Sequence, residues 1–315
     1  MKRIVLAGGS GFIGRALTQE FLARGFEVVV LTRSPRQRAE GVCEAAWDGK
    51  PAGEWGSFLD GAEAIINLAG KNINCPHTPE NLRDIIASRV NSVNAIAAAI
   101  GKVTTPPRVW VQASAVGFYG DTGYVVCDET ATVGNDTLAN ICRQWEAAFC
   151  GGHAPSPNAA CDTGGAATRK VTLRIGFVLG RDGGALPVLS KMTRRFLGGA
   201  AGSGRQYISW IHLADLARMF AVAVENEELS GTFNAVAPGA VTNAEFMREL
   251  RRALHRPWSP PAPAWAVKLG ARLLDSEASL ALAGQRCVPG KFLAAGFQFQ
   301  FADVASALND LCRKA

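Results

Sequence analysis

Continuous apolar runs alternate with amphipathic stretches along the first half of the chain. The continuous runs have the length of buried strands and cover residues 4–7, 26–31, 64–70, 109–113 and 171–179. Stretches with apolar residues at helical spacing follow several of them, at residues 16–22, 80–100 and 137–149. Strands that alternate with helices form a parallel sheet with right-handed crossovers. The pattern therefore predicts an α/β fold with a doubly wound parallel sheet.

The pattern changes after residue 180. Glycine-rich turns surround shorter apolar segments, and helices are predicted over residues 186–197 and 213–224. Thr242 and Glu245 are predicted to form a capping box at the start of a further helix, because the side chain of each residue accepts a hydrogen bond from the backbone N–H of the other. Four prolines then interrupt the chain before two or three closing helices, at positions 257, 260, 261 and 263.

These shifts predict two domains. Residues 1–180 form the main α/β domain, and residues 181–315 form a smaller, mixed but mainly helical lobe on the substrate side, from which residues 205–237 return to the main sheet. Residues 151–170 are rich in Gly, Ala, Pro and Ser and show no apolar period. A loop of this length is either functional or disordered, and we expect a flexible surface insertion.

A glycine-rich turn joins the first strand to the first helix. Its spacing is GxxGxxG, and its residues are Gly8, Gly9, Ser10, Gly11, Phe12, Ile13 and Gly14. At a helix N-terminus the free N–H groups and the helix dipole favour an anion, here the pyrophosphate of a dinucleotide. A glycine triad alone is more often a turn, but the strand before it and the helix after it predict a nucleotide site in a Rossmann-type domain.

The end of the second strand indicates which dinucleotide binds. An NAD-selective site has an acidic residue here, whereas this chain has Thr32, Arg33 and Ser34, followed by Arg36 and Arg38. A guanidinium suits a 2′-phosphate, which an Asp or Glu would repel. The alternative is a solvated basic turn. The position and the missing acid favour NADP(H).

Composition limits the function classes without selecting one. The 315 residues are 48% apolar and 19% charged, with a net charge of +6 that is scattered along the chain. Because the basic residues form no stripe with interleaved aromatics, we expect no nucleic-acid partner. No apolar stretch reaches the length of about 18 residues that spans a membrane, and no leader precedes the first strand, so we expect no membrane partner and a cytoplasmic protein.

The eight cysteines are spread along the chain and form no CxxC pair: Cys43, Cys75, Cys127, Cys142, Cys150, Cys161, Cys287 and Cys312. A chain of this length needs no covalent staples. We therefore expect reduced, mostly buried thiols and no metal site.

The order of several motifs resembles the extended short-chain dehydrogenase/reductases. The motifs are residues 8–14 (GGSGFIG), 67–70 (NLAG), 113–120 (ASAVGFYG) and 210–215 (WIHLAD). Further stretches resemble more closely the atypical epimerase-family proteins of that superfamily, whose substrate is generally not established: residues 174–180 (RIGFVLG), 202–206 (GSGRQ), 234–238 (NAVAP), 242–246 (TNAEF), 284–286 (GQR) and 296–299 (GFQF). The resemblance covers nearly the whole length outside residues 151–170.

The resemblance also implies cofactor contacts beyond the glycine turn. Thr32 and Arg33 would lie by the adenosine ribose. The remaining implied contacts come from the strand over residues 64–70, the helix after it and the strand over residues 171–179: Leu68, Ala69, Gly70, Asp84, Arg89 and Val178. For Arg89 the alternative is an ordinary surface arginine of a helix.

The catalytic pair of the superfamily is missing. A typical member has a Ser followed by Tyr-x-x-x-Lys, in which the Tyr exchanges the substrate proton and the Lys lowers the Tyr pKa. The resemblance places Ser114 at the serine position, but Leu138 and Cys142 occupy the Tyr and Lys positions. Ser114 is the candidate catalytic residue. The alternative is a structural role, in which its hydroxyl hydrogen-bonds to backbone groups at the end of the strand. Tyr119, Tyr124 and His212 are available substitutes, although packed structural roles are favoured for Tyr119 and His212.

Two functions from different classes remain. The first is an NADP-dependent oxidoreductase or epimerase that acts on a small carbonyl or hydroxyl compound. The second is a protein that binds or senses NADP(H) and does little chemistry, which the loss of the Tyr and Lys favours. In both readings the partner is a small molecule, and a homodimer is the candidate assembly.

Overall fold

A computed structural model of the chain describes residues 2–36, 41–50, 53–153, 168–273 and 275–313. Its centre is a seven-stranded sheet in which every neighbouring pair is parallel. In spatial order the strands are β11 (Gly231–Ala235), β7 (Arg169–Ile175), β5 (Val109–Ala115), β4 (Ala64–Asn67), β1 (Arg3–Ala7), β2 (Glu27–Thr32) and β3 (Val42–Ala46). The predicted doubly wound sheet is confirmed.

Strand order reverses at the centre of this sheet. Helix α1 (Phe12–Ala23) connects β1 to β2 in one direction, and α2 (Pro79–Ile100) connects β4 to β5 in the other. Right-handed crossovers therefore put the two helices on opposite faces. Helix α1 packs against α5 (Leu213–Glu225), and α2 packs against α3 (Thr137–Phe149). A doubly wound sheet binds its ligand at the carboxyl ends of the strands where the order reverses, which here are β1 and β4.

The apolar runs of the sequence form the core because they lie in the middle of the sheet. The four residues Ile4, Val5, Leu6 and Ala7 of β1 are completely buried, as are Val28 to Leu31 of β2. Strands covered by helices on both faces have no polar side, which explains the continuous apolar runs. The edge strand β3 is half-exposed and was not predicted.

The remaining strands are short and form two-stranded sheets. These strands are β6 (Val126–Cys127), β8 (Phe177–Leu179), β9 (Tyr207–Ile208), β10 (Trp210–His212), β12 (Val241–Thr242) and β13 (Arg286–Cys287). The pairs are β8 with β10, β9 with β12 and β6 with β13. The predicted single strand over residues 171–179 is wrong in one respect. The run breaks at Gly176, after which Phe177 donates its N–H to the Ser209 carbonyl and starts β8 in a different sheet.

Helices dominate the second half. They are α4 (Leu186–Arg194), α5, α6 (Asn243–Ala253), α7 (Ala264–Leu273), α8 (Ser279–Leu282), α9 (Gly290–Ala294) and α10 (Val304–Cys312). The predicted capping box of Thr242 and Glu245 is present at the start of α6. Strand β11 lies beside β7, so part of the segment 205–237 belongs to the main sheet. The division into domains at residue 180 stays a prediction.

Two expectations about loops and thiols need correction or restriction. Residues 154–167 of the predicted insertion lie outside the described residues, and Arg169 and Lys170 at its end belong to β7. Six cysteines are free thiols, of which Cys127, Cys142 and Cys287 are buried. The prediction that all cysteines are reduced is wrong for Cys150, which is disulfide-bonded.

Among the described residues no cluster of His, Cys, Asp and Glu could hold a metal ion, and no helix is long and apolar enough to cross a bilayer.

His212 has a structural role at the start of α5. Its Nδ1 accepts a hydrogen bond of 3.1 Å from the Ala214 N–H, and its ring stacks on Phe301 with centroids 3.9 Å apart. The Nε2 atom lies 3.4 Å from the Asp310 carboxylate. Burial lowers the pKa of His212 below its ordinary value, although Asp310 opposes that shift. The expectation of a packed structural histidine is confirmed.

The cap makes stability depend on pH. A histidine in the unfolded chain has a pKa of about 6.5, whereas the pKa of His212 in the folded protein is lower. The stabilisation that the cap provides is therefore fully present above the unfolded pKa and is lost as the pH falls. His212→Asn retains an acceptor for the Ala214 N–H but does not titrate. We expect the wild-type free energy of unfolding to fall between pH 7.5 and 5 by about 1 kcal/mol more than that of His212→Asn in urea titrations. Equal losses in the two proteins would contradict this assignment.

Candidate functional site

The glycine turn forms a cradle at the carboxyl end of β1. Gly8 has a backbone φ of +76°, which residues other than glycine adopt only at an energetic cost. A Cβ at this position would lie 3.1 Å from the Ala69 backbone. A Cβ at Gly14 would overlap the Gly9 carbonyl. The N-cap residue Gly11 offers no side chain to the first-turn N–H groups of α1, and that turn contains no acidic residue. These amides are therefore available to an anion.

The flanking residues of the turn hold it in place. Thr32 donates a hydrogen bond of 3.2 Å to the Ser10 hydroxyl, which joins the end of β2 to the turn. Ile13 packs against the main core. The Phe12 ring packs against a second turn, formed by residues 180–184, where a Cβ at Gly184 would lie 3.2 Å from both the ring and the Val178 carbonyl. The predicted contact residue Val178 thus lies next to the α1 N-terminus.

The segment after β4 lies directly beside the cradle, and Arg89 of α2 packs against it. A Cβ on Gly70 would lie 3.1 Å from the Arg89 guanidinium carbon. Arg89 donates from Nη1 to the carbonyls of Lys71 and Ile85, both at 3.0 Å, and lies over the Trp145 ring at 4.9 Å. Burial lowers the pKa of Arg89, but a guanidinium remains charged at neutral pH. Leu68, Ala69, Gly70 and Arg89 therefore share one edge of the cradle.

Two other predicted contacts are more exposed. Asp84 accepts a hydrogen bond of 2.8 Å from the Lys71 ammonium, which also donates to Asn81 at 2.8 Å. Arg33 is exposed and has no hydrogen bond or ion pair within the described part of the chain. Arg36 donates its backbone N–H to Glu44 at 2.6 Å. Arg38 lies outside the described residues.

Ser114 belongs to a buried ion-pair network. Only 3% of Ser114 is exposed, and its hydroxyl donates to Glu146 Oε1 at 2.6 Å. Arg174 donates from Nε to the same oxygen at 2.9 Å and from Nη2 to Oε2 at 2.8 Å. Burial alone would lower the pKa of Arg174, but the hydrogen bonds and charge of Glu146 raise it above its ordinary value. Ser114 thus has a structural partner, and its contact with substrate stays a prediction.

Tyr119 extends the network to the second half of the chain. Its hydroxyl accepts from Arg174 Nη1 at 2.9 Å and donates to Asn234 Oδ1 at 2.8 Å. Burial raises the pKa of Tyr119, so the phenol keeps its proton. The backbone N–H of Asn234 in turn donates to Glu129 at 3.0 Å. Tyr119 is therefore a packed structural residue, as the sequence indicated, and is not available as a proton donor.

The positions of the missing Tyr and Lys are filled by apolar packing. Leu138 and Cys142 lie on the face of α3 that approaches Gly117. Desolvation, together with the nearby Glu146 charge, raises the pKa of the Cys142 thiol to about 12. Cys142 is therefore a neutral thiol at physiological pH. The charge of Arg89 acts on this thiol, which places a fixed cation near the position where the Lys is missing.

A polar pocket lies between the loop after β5 and the C-terminal lobe. It has a volume of about 190 Å³ and is lined by Asp121, Gly123, Tyr124, Ser203, Arg205, Gln206 and Leu282. Tyr124 packs edge-on against Tyr207, whose ring lies under the Arg286 guanidinium at 4.7 Å. The lining offers both charges and hydrogen-bonding groups to a small polar molecule.

Sequence reasoning did not identify Glu146, Arg174, Asn234 and Lys71 as parts of the site. A signal was present for two of them. Glu146 is a lone acid on the apolar face of α3, and Arg174 is the one base in the buried part of β7, residues 171–175. Buried charges of opposite sign in neighbouring elements are expected to pair.

Comparisons with known proteins place these features in context. The sequence model of the NAD dependent epimerase/dehydratase family matches residues 4–148, and that of a domain of unknown function (DUF1731) matches residues 262–311. The chain is 38% identical to the bovine epimerase family protein SDR39U1 over 314 residues, covering 98% of this chain and 99% of the relative. It is 33% identical to the epimerase family protein YfhF of Bacillus subtilis, with 98% and 97% covered.

A solved structure is similar over the whole length. The crystal structure of the human epimerase family protein SDR39U1 (isoform 2) with NADPH has a TM-score of 0.85 and 35% sequence identity. The match covers 98% of this chain and 99% of that chain.

The ion pair between Glu146 and Arg174 gives a stability prediction. Removing one partner leaves the other charge buried, so Glu146→Gln and Arg174→Met should each lower the free energy of unfolding by about 3–5 kcal/mol. The double variant should lose much less than the sum of the two, because neither charge is then left alone. Urea unfolding of all four proteins measures this coupling.

The surface pair of Arg252 and Glu249 on α6 provides the control, in which only the arginine is largely exposed. Its atoms are 2.9 Å apart, but Arg252 is largely in solvent, so the same double-mutant cycle should give a coupling below about 1 kcal/mol. Additive losses at Glu146 and Arg174 would show that the network is not a unit.

Proposed function

Because the chain belongs to the NAD-dependent epimerase/dehydratase family, we propose that it is an NADP(H)-binding, atypical short-chain dehydrogenase/reductase that acts on a small carbonyl or hydroxyl compound. The observation that carries the proposal is the unpartnered first turn of α1, set at the point where strand order reverses and flanked by Gly8 and Gly14. This arrangement suits a dinucleotide pyrophosphate.

The choice of NADP(H) rests on the end of β2. Thr32 is followed by Arg33, an exposed guanidinium without a partner in the described part of the chain, in the position where NAD-selective sites have an acid. The human relative was crystallised with NADPH, which supports the same choice. In this proposal Arg33 contacts the 2′-phosphate, and Ser10, Phe12 and Ile13 offer backbone N–H groups to the pyrophosphate.

The residues beside β4 fit the nicotinamide half of the cofactor. Leu68, Ala69, Gly70 and Val178 offer an apolar and backbone surface, and Arg89 supplies the cation that Cys142 cannot. When bound, the cofactor supplies or accepts a hydride. The Ser114 hydroxyl donates its hydrogen bond to Glu146, so its oxygen is left as an acceptor for a substrate hydroxyl. The polar pocket around Asp121 and Arg205 is the proposed entrance for that substrate.

A second candidate function follows from Leu138 and Cys142. Neither side chain can exchange a proton with substrate at neutral pH, and Tyr119 is engaged in the buried network. A protein that binds NADP(H) and reports its occupancy needs the cradle but no proton donor. A cytoplasmic location and a homodimer stay proposals for either function.

Charge reversal at Arg33 tests the cofactor assignment. We expect Arg33→Asp to lower the preference for NADPH over NADH by tenfold or more, about 1.4 kcal/mol, because a carboxylate repels the 2′-phosphate. Calorimetric titration with both reduced cofactors measures the ratio of dissociation constants. Lys102→Asp is the control, because residue 102 follows the C-terminal end of α2 and lies toward the amino ends of the strands, away from the cradle at their carboxyl ends. An unchanged ratio in Arg33→Asp would remove Arg33 from the site.

Turnover separates the two candidate functions. The oxidoreductase predicts that the purified protein oxidises NADPH with at least one member of a broad carbonyl panel, and that Ser114→Ala slows this reaction by tenfold or more while the dissociation constant of NADPH is unchanged. Ser190→Ala, a buried serine of α4, is the control. Tight NADPH binding with no turnover across the panel would favour the binding protein.

A further inference from the structure

Helix α7 carries an unusual exposed stripe. Trp265, Leu269 and Leu273 are four residues apart, so they lie on one face, and they are 70%, 52% and 76% exposed. Not one residue of this helix is buried. A surface helix normally turns its large apolar residues toward the core. Here the apolar stripe points into solvent.

The C-terminal end of α4 shows the same inversion. Val188 and Met192 are exposed along the helix, and Phe196 and Leu197 follow it with more than half of their surface exposed. Phe196 has a φ of +64°, and the N–H groups of Phe196 and Leu197 donate to the Thr193 and Met192 carbonyls. This ending usually has glycine at the left-handed position. The chain instead adopts a strained conformation that leaves an aromatic ring in solvent.

The two exposed faces are connected. The Gly202 N–H donates to the Ala262 carbonyl at 2.8 Å, and the Ala262 N–H donates to Ala200 at 2.8 Å, so the segment after α4 is bonded to the segment that enters α7. Arg256 lies over the Phe196 ring at 5.3 Å. Trp258, between these contacts, is 73% exposed. We call residues 186–197 and 254–273 together the α4–α7 surface.

The charges of the α4–α7 surface have one sign. It contains no Asp or Glu, and its exposed basic residues are Lys191, Arg194, Arg195, Arg256, Lys268 and Arg272. None of the six has a carboxylate partner within the described residues, although other arginines of the chain, such as Arg24 and Arg252, do. On α7, Lys268 and Arg272 lie beside the stripe of Trp265, Leu269 and Leu273.

We propose that the α4–α7 surface binds the surface of an anionic phospholipid bilayer. Helices that lie in a membrane interface combine Trp, Phe and Leu on one side with Lys and Arg beside them, and both components are present here. An apolar partner helix, or a second copy paired through the same surface, would cover the apolar stripe but would leave the six cations without a counter-charge. Lipid headgroups satisfy the cations while the tryptophan and leucine side chains enter the acyl boundary. This binding differs from spanning, because no helix among the described residues is long and apolar enough to cross a bilayer.

Vesicle flotation with the full chain tests the proposal. We expect at least tenfold stronger binding to vesicles of phosphatidylcholine with 30% phosphatidylglycerol than to phosphatidylcholine alone, and loss of the difference at 0.5 M salt, because charges near a bilayer are screened over about 3–10 Å at such ionic strengths. Lys268→Glu/Arg272→Glu and Trp258→Ala/Trp265→Ala should each weaken binding at least tenfold. Tryptophan emission should shift to the blue on binding and lose this shift in the Trp258→Ala/Trp265→Ala variant.

Matched controls keep the test specific. Lys102→Glu reverses an exposed charge and Leu293→Ala removes a half-exposed apolar side chain, both outside the surface, and both should bind as the wild type does. NADPH titration of every variant reports an intact fold independently of lipid. Equal binding to both vesicle types, or no binding, overturns the proposal. A concentration-dependent dimer that Trp265→Ala dissociates would overturn it in favour of an interface between copies.

Discussion

The ion pair between Arg174 and Glu146 is the interaction on which the arrangement of the molecule depends. Burying two charges costs several kcal/mol for each ion, and the cost is offset only when the geometry is good and the remaining donors are satisfied. Both conditions hold. Two parallel hydrogen bonds join the side chains, Ser114 donates to the carboxylate, and the Phe118 ring lies 3.4 Å from the guanidinium carbon.

The network around this pair also links the two halves of the chain. Arg174 belongs to β7 and Glu146 to α3, so the pair joins the sheet to a helix that covers it. Through Tyr119 and Asn234 the same network reaches Glu129, which accepts the N–H of Lys291 at the start of α9. A shift of the lobe would break hydrogen bonds to a buried charge. The network therefore joins the central sheet, α3 and the start of α9 through hydrogen bonds between buried groups.

The sequence predicted those parts of the molecule that depend on local pattern. The central strands, the glycine turn and the capping box of α6 follow from runs of adjacent residues, and the structure contains all of them. Strand β3 was missed because an edge strand is partly solvated and needs no apolar run, as Val42 to Ala46 illustrate. The break at Gly176 was missed because both β7 and β8 are apolar, and only tertiary pairing sends them to different sheets. Pairing between distant charges such as Glu146 and Arg174 is likewise set by the fold.

The surroundings of Cys142 do not suit the lysine that typical members of the superfamily have at this position. A lysine in place of Cys142 would need counter-charge or water, and its neighbours offer neither: Arg89 is a cation, and Glu146 is already bonded to Arg174 and Ser114. A neutral thiol fits this environment, and burial keeps it neutral. The positive charge that a cofactor ribose or phosphate would meet then comes from α2 instead of α3. The described surface beside α3 therefore combines the Arg89 cation with the backbone amides of the glycine turn.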